Sequence, residues 1–359
     1  MDKFGGNIDE SKSFAASYLS NVNNETLEFN MPTFEELGLI QQDKYLSQWN
    51  TQKDGKGTWV KVDETVKVGC TTKELYIEWK DYKDIFEKGS GTKSDPFIIE
   101  DDDLIVLADY VNSGANTRNL YFKQKGDIVV KDILEQHNKG KNWTPIGQTY
   151  TFYGDYDGGG HVIRNAEINN VSGNALGIFG KVAGTIHNLG VKDVTINTDN
   201  KTARCGAIAG LLCGNDDENV AGQMRHCYAA NGSITGTYVG GLVGEMTDNA
   251  LMSYCLGYKN TVKGDYVGGI SSRIIDKAKA DLCFTTESNI SSKGGLTNTS
   301  RCEPGVSESK MKSGELTWLL NDKTAFATTW YQNVDGEGDI TCVHMSYNFT
   351  VFINDFIAE

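Results

Sequence analysis

The densest collection of chemically able side chains is GDYDGGGHVIRN, where Asp155, Asp157, His161 and Arg164 fall close together. Two carboxylates beside an imidazole could do acid–base work on a glycosidic bond, which needs two carboxyls about 5–10 Å apart. They could also share a calcium ion, which takes several carboxylate and carbonyl oxygens. Three consecutive glycines argue for a third reading. Such a run supplies backbone angles that other residues avoid, and so a shaped turn. The turn outweighs catalysis, and no catalytic residue is assigned. Asp155 and Asp157 stay as calcium candidates, the metal reading being otherwise negative.

Other signals are weaker. NVDGEGD (Asn333–Asp339) lacks the oxygen spacing and closing Glu of an EF-hand. There is no P-loop, no HExxH, and Ser271 and Ser272 in GISSR have no GxSxG context. CGAIAGLLC separates Cys205 and Cys213 too widely for the usual zinc pair; these two could instead join across a turn. His187 and His226 hold nearly equivalent places and read as a turn-facing pair. No cofactor is implied. Trp49, Trp59, Tyr76, Trp79 and Tyr82 gather before residue 90. Aromatic clusters can stack on sugars; more often they are the core of a small β unit.

These groups must be positioned by a repeat. GIFGKVAGTIHNLGVKDVTI (Gly177–Ile196), GLVGEMTDNALMSYCLGYKNTV (Gly241–Val262) and GISSRIIDKAKADLCFTTESNI (Gly269–Ile290) share one grammar. A longer copy runs from Ala207 to Ile234. Each opens with glycine around aliphatic residues, turns, and continues in short alternating segments. That is strand grammar bounded by turn residues. Recurrence at about 30 residues signals a solenoid, in which stacked strands lie about 4.8 Å apart. Cys227, Cys255 and Cys283 fall 28 residues apart, with Leu189 at the matching place in the first copy. This column of small apolar side chains is expected inside the coil, with mostly free thiols. Asp193, Lys259 and Glu287 sit at matching places without forming a repeated charge.

GGLVGEM (Gly240–Met246) and its weaker relatives resemble the GLUG repeat of bacterial surface proteins, often of the Bacteroides type. GTKSDPFIIEDDDLIVLADYVNSG (Gly91–Gly114) is similar to the usual lead-in, WTPIG and FYGDYDGGGHVIRNAEI to a first rung, and MKSGELTWLLND with TWYQNVDGEGD to the usual exit. The resemblance covers about residues 90–340. It implies a right-handed parallel β-helix on an exported, surface-exposed protein, and it carries no catalytic motif.

The totals fit. Glycine is 40 of 359 residues, about 11 per cent against about 7 in ordinary domains. A net charge of −14 disfavours nucleic acid and anionic membranes as partners. No apolar run approaches the roughly 18 residues of a transmembrane helix. MDKFGGNIDESKS has no apolar core to serve as a secretory signal. Given the resemblance, it reads as a polar tether. Met1 would then stand where a processed lipoprotein carries its lipidated cysteine, so a lipid anchor is expected in a longer gene product.

In chain order, helices are expected near residues 11–22 and from Thr33, followed by a small meander over Thr58–Lys80. Gly89–Pro96 marks a boundary. Asp101–Val111 should be a helix with Leu104, Leu107, Ala108 and Val111 on one face, capping the open coil, where a bare edge would invite aggregation. Leu120–Val130 should be strand, residues 132–143 a polar loop, and Met311–Asp322 one helix with Ser313 as N-cap, closing the far end. Ser346–Phe356 should be a final strand.

The expected organisation is an α+β module or tether over 1–90, a β-helix with caps over 91–345, and a tail over 346–359. The fold class is mainly β, a solenoid with short helices. The functional reading is a non-enzymatic, adhesin-like surface protein whose rigid coil presents a glycan- or protein-binding face. Weak ligand-contact candidates are Trp49, Trp59, Tyr76 and Trp79, with Asn215, Asp216, Asp217 and Glu218 in the expanded loop Asn215–Gly222. Insertions in solenoids map to surface loops. The alternatives are a polysaccharide lyase or glycoside hydrolase, and a structural piece of a fimbria or phage fibre.

Overall fold

The computed structural model describes residues 85–137, 140–170, 173–214, 221–288 and 299–322, with residue 56 and short strands outside these ranges. From Phe97 to Ser300 the chain winds as a parallel β-helix, five short strands to each full turn. Its strands stack into five parallel sheets, here faces A to E. Face A has eight strands: Phe97–Ile99, Tyr121–Gln124, Asp155–Asp157, Thr185–His187, Gln223–Arg225, Leu251–Ser253, Lys279–Asp281 and Thr299–Ser300. Face B has six, beginning at Ile128–Val129 and ending at Phe284–Thr285. Faces C, D and E have four each, ending at Thr261–Lys263, Tyr266–Gly268 and Ser271–Ile274.

The strands are short because residues in left-handed backbone end them. Asn188, His226, Tyr254 and Leu282 form one such column between faces A and B, and Asn165, Asp193, Asn231 and Lys259 another between B and C. Asn and Asp tolerate this region best; Tyr, Leu and Lys are held there by the register around them. Side chains alternate, so face A sends Phe122, Tyr156, Ile186, Met224, Met252 and Ala280 inward in register. The interior changes character along the axis. Phe86, Phe97, Phe122, Phe152 and Phe179 stack successively at 4.8–5.9 Å at one end. Aliphatics and cysteines fill the rest.

The repeat signature has a physical cause at the corner between D and E. A Cβ on Gly244 would lie 2.5 Å from the Cys205 amide nitrogen and inside contact distance of the Gly210 carbonyl oxygen. Gly210 is equally crowded by the backbone of Ala175 and Leu176. Strands D and E therefore touch backbone to backbone. In the last copy Ser272 replaces glycine, and its buried hydroxyl donates to the Gly244 carbonyl.

Helix α1, Asp103–Asn112, buries Leu104, Leu107, Ala108 and Val111 in the same continuous core as the coil interior. Residues 132–143 do not form the expected loop throughout. Helix α2, Val130–Gln136, begins there because Val130, Ile133 and Leu134 fall at helical spacing and are buried. The expected single helix at Met311–Asp322 is two: α3, Glu308–Lys312, capped by the Ser307 hydroxyl, and α4, Glu315–Leu320, separated by Gly314 at φ 82°. Ser313 ends α3 rather than starting a helix. These helices cover the coil's flank, not its end: Met311, Leu316 and Leu320 cluster with Tyr228, Leu256, Tyr258 and Phe284, whose side chains face outward from B.

Before residue 85, Lys44–Asn50 pairs antiparallel with Trp59–Lys61 and Tyr76–Asp81, and Leu27–Asn30 with Thr65–Val68. The helices expected near 11–22 and from Thr33 lie outside the described residues. Of the expected last strand, Val351–Phe352 pairs parallel with Trp330–Tyr331.

Candidate binding surface

Asp155 and Asp157 flank the inward Tyr156 on face A, so both carboxylates point outward, one turn before His187. One oxygen of each is already engaged. His187 Nε2 lies 2.8 Å from Asp155 Oδ1. Asp157 Oδ1 accepts from Asn188 Nδ2 at 3.0 Å and from the Gly159 amide at 3.0 Å. Gly159 and Gly160 take φ of 64° and 79°. The motif builds a turn in which an imidazole bridges two strands. Among the described residues no three His, Cys, Asp or Glu side chains converge as a metal set. His161 faces Asp127 at 3.7 Å instead of joining this cluster. His187 and His226 differ by one place: His187 pairs with Arg225, while His226 aligns with Asn188 and stacks on Tyr254 at 4.9 Å.

Leu189, Cys227, Cys255 and Cys283 are fully buried, one place after the left-handed column. Cys302 extends this line beside Cys283, as the bridge between Phe284 and Glu303 requires; its spacing of 19 hid it from the repeat. The six described cysteines are free. The Cys205–Cys213 pair that the spacing left open is not formed, because Cys205 faces the interior while Cys213 Sγ points at the Val182 carbonyl, 3.6 Å away. Burial pushes the Cys205 thiol up to about 12 and Cys213 to about 11, so neither is poised as a nucleophile. Asp193 and Lys259 are corner residues. Glu287 folds back to accept the Asn260 amide at 2.7 Å, and burial raises its pKa.

The aromatic candidates fall on one three-stranded antiparallel sheet. Its register sets Trp59 and Tyr76 opposite Asn50, Trp49 opposite Val60 and Ile77, and Trp79 opposite Leu46. They do not share one cross-strand row. Asn215, Asp216, Asp217 and Glu218 lie outside the described residues. The base of their loop is closed by the Gly222 amide donating to the Cys213 carbonyl at 3.1 Å. An open depression of about 220 Å³ adjoins it, lined by Tyr153, Lys181, Cys213 and Asp248 among others. The Arg118 guanidinium covers Tyr153 at 3.6 Å.

Sequence reading missed a second cluster, where the outward side chains of D and E meet. Arg204, Tyr238 and Tyr266 occupy one register position on D; Leu211, Glu245 and Arg273 occupy one on E. Glu245 is buried between two guanidinium groups, Arg204 Nε at 2.8 Å from Oε1 and Arg273 on Oε2. Tyr238 and Tyr266 stack at 4.9 Å and 6°. The Arg273 guanidinium lies 4.3 Å from the Tyr238 ring centre. The signal was available: YVGG recurs at 238 and 266. Only the corner brings those tyrosines to arginines from other turns.

Comparison with known proteins is sparse. No family model matches the chain. It is 26% identical over 170 residues to Halomucin of Haloquadratum walsbyi, covering 46% of this chain and 2% of that protein. It is 31% identical over 130 residues to an Evansella cellulosilytica protein provisionally named a Gly-rich membrane protein, covering 35% of this chain and 14% of that one. The chain thus spans a small part of the length of both relatives. A crystal structure of a Bacteroides ovatus protein, provisionally named an immunoglobulin A1 protease, aligns with a TM-score of 0.42 at 18% identity. That alignment covers 71% of this chain and 94% of that one. The strand register by itself makes this chain a parallel β-helix.

Proposed function

We propose that this chain is a non-catalytic binding module of a cell surface, its coil a rigid scaffold for capturing a glycan. The observation that carries this reading is the D–E corner, where aromatic and charged side chains from consecutive turns are locked into one outward array. A preorganised array lowers the ordering cost of binding. The GLUG-like repeat and the similarity to Halomucin and to a Gly-rich membrane protein support a surface location, with a lipid anchor as the proposed attachment. Among the described residues no helix is long and apolar enough to cross a membrane. A second reading, polysaccharide cleavage, has one observation in its favour: His187 lies between Asp155 and Asp157.

The test is a glycan array on the purified chain, run beside an assay for reducing ends and unsaturated products on the same polysaccharides. Binding without product is the expected result. Product that disappears in Asp155→Asn would establish cleavage instead. A protein partner or structural role would leave both assays silent.

A further inference from the structure

Resting on the glycan-binding reading, we infer that the D–E corner is a subsite for an acidic saccharide, its carboxylate or sulfate group held by Arg204 and Arg273. Glu245 is 3% exposed. Its register position holds Leu211 one turn earlier, so the column accepts an apolar side chain there. A buried carboxylate is not required for folding at such a site, since apolar replacements of buried ion pairs are often neutral or stabilising. What Glu245 does accomplish is to fix two guanidinium groups from different turns, one on each oxygen.

The pinning leaves donors over. A guanidinium has five N–H groups. Arg204 spends Nε on Glu245, and Arg273 one terminal nitrogen. Arg273 Nε has no hydrogen-bond partner among the described residues but is itself buried, so the donors a ligand can meet are terminal nitrogens. The two side chains remain 30% and 21% exposed. Arg273 is held a second way, its guanidinium over the ring of Tyr238, which is itself held by its stack on Tyr266. Two fixed guanidinium groups with terminal N–H groups left over suit the oxygens of a carboxylate or sulfate. Two cations against one anion leave the corner with a surplus positive charge, on a chain whose net charge is −14. The rest of the molecule repels polyanions, so any that binds must find a local site.

The experiment is titration calorimetry of the whole chain with polygalacturonate, chondroitin sulfate and dextran, at low and physiological salt. The double variant Arg204→Met/Glu245→Leu removes one cation together with its buried partner. Its melting temperature should fall only slightly, because the remaining Arg273 is 21% exposed and still packed on Tyr238. Binding to the preferred acidic polymer should fall about tenfold or more, the loss expected when charge-assisted hydrogen bonds are removed. Arg204→Lys, which keeps charge but not the fork, should bind between the two. The polymer that binds distinguishes carboxylate from sulfate. Dextran binding equal to that of the acidic polymers, or a double variant that binds like the parent, overturns the subsite and leaves glycan capture standing. Silence with all three polymers and on the glycan array overturns both.

Discussion

His226 shows how a single residue couples backbone, packing and charge. It sits at φ 52°, stacked on Tyr254, in the column of left-handed corners. Burial, with Arg225 and His187 adding, lowers its pKa from 6.5 to about 4. Below pH 6.5 the unfolded chain therefore takes up a proton that the folded chain refuses. The stabilising contribution is whole above that pH and is lost progressively toward pH 4. His226→Asn keeps a residue suited to left-handed backbone and removes the titration. Thermal melts between pH 6.5 and 4.5 should show the parent losing stability more steeply than the variant. Parallel curves would refute the assignment. In the sequence His226 differs from His187 only in lying one residue rather than two before the column of Leu189 and Cys227. One place of register separates a stacked, half-buried ring from one bridging two carboxylates.

At the scale of the element, the glycines of the repeat are explained by the approach of strands D and E. Gly244→Ala should cost about 1–3 kcal/mol or more, as overpacking against backbone does. Gly126→Ala, where an added Cβ meets nothing within 4 Å, should stay within about 0.5 kcal/mol. Urea unfolding of the two variants checks this, and equal midpoints would remove the packing explanation. The sequence announced these glycines as a motif, because a contact repeated every turn selects the same residue every turn. It did not announce α2, whose Val130, Ile133 and Leu134 occupy too short a window for helical periodicity to stand out.

At the scale of the molecule, the core is quasi-one-dimensional, with a second apolar cluster on its flank. Repeat assemblies lose stability locally when a peripheral contact is cut. Leu320→Ala should cost about 2–5 kcal/mol within the flank cluster. Limited proteolysis should then release the segment around α3 and α4 while the coil's circular dichroism melt is little changed. Cooperative loss of the whole coil would show that flank and coil form one folding unit.

Sequence alone determined the coil. Its short alternating strands, its turn residues and its recurring glycines are local requirements, imposed again at each turn and so legible as a repeat. Tertiary structure decided what lies between turns. Arg204 meets Glu245, and Arg273 meets Tyr238, from positions 41 and 35 residues apart. Those separations are not one period, because strand D of one turn packs beside strand E of the next. Likewise the leucines of Met311–Asp322 announce a helix, but only the outward Tyr228, Leu256, Tyr258 and Phe284 of face B specify a flank rather than an end. A repeat fixes what each residue does within its own turn; contacts across turns depend on how the turns stack, and that is set by packing in three dimensions.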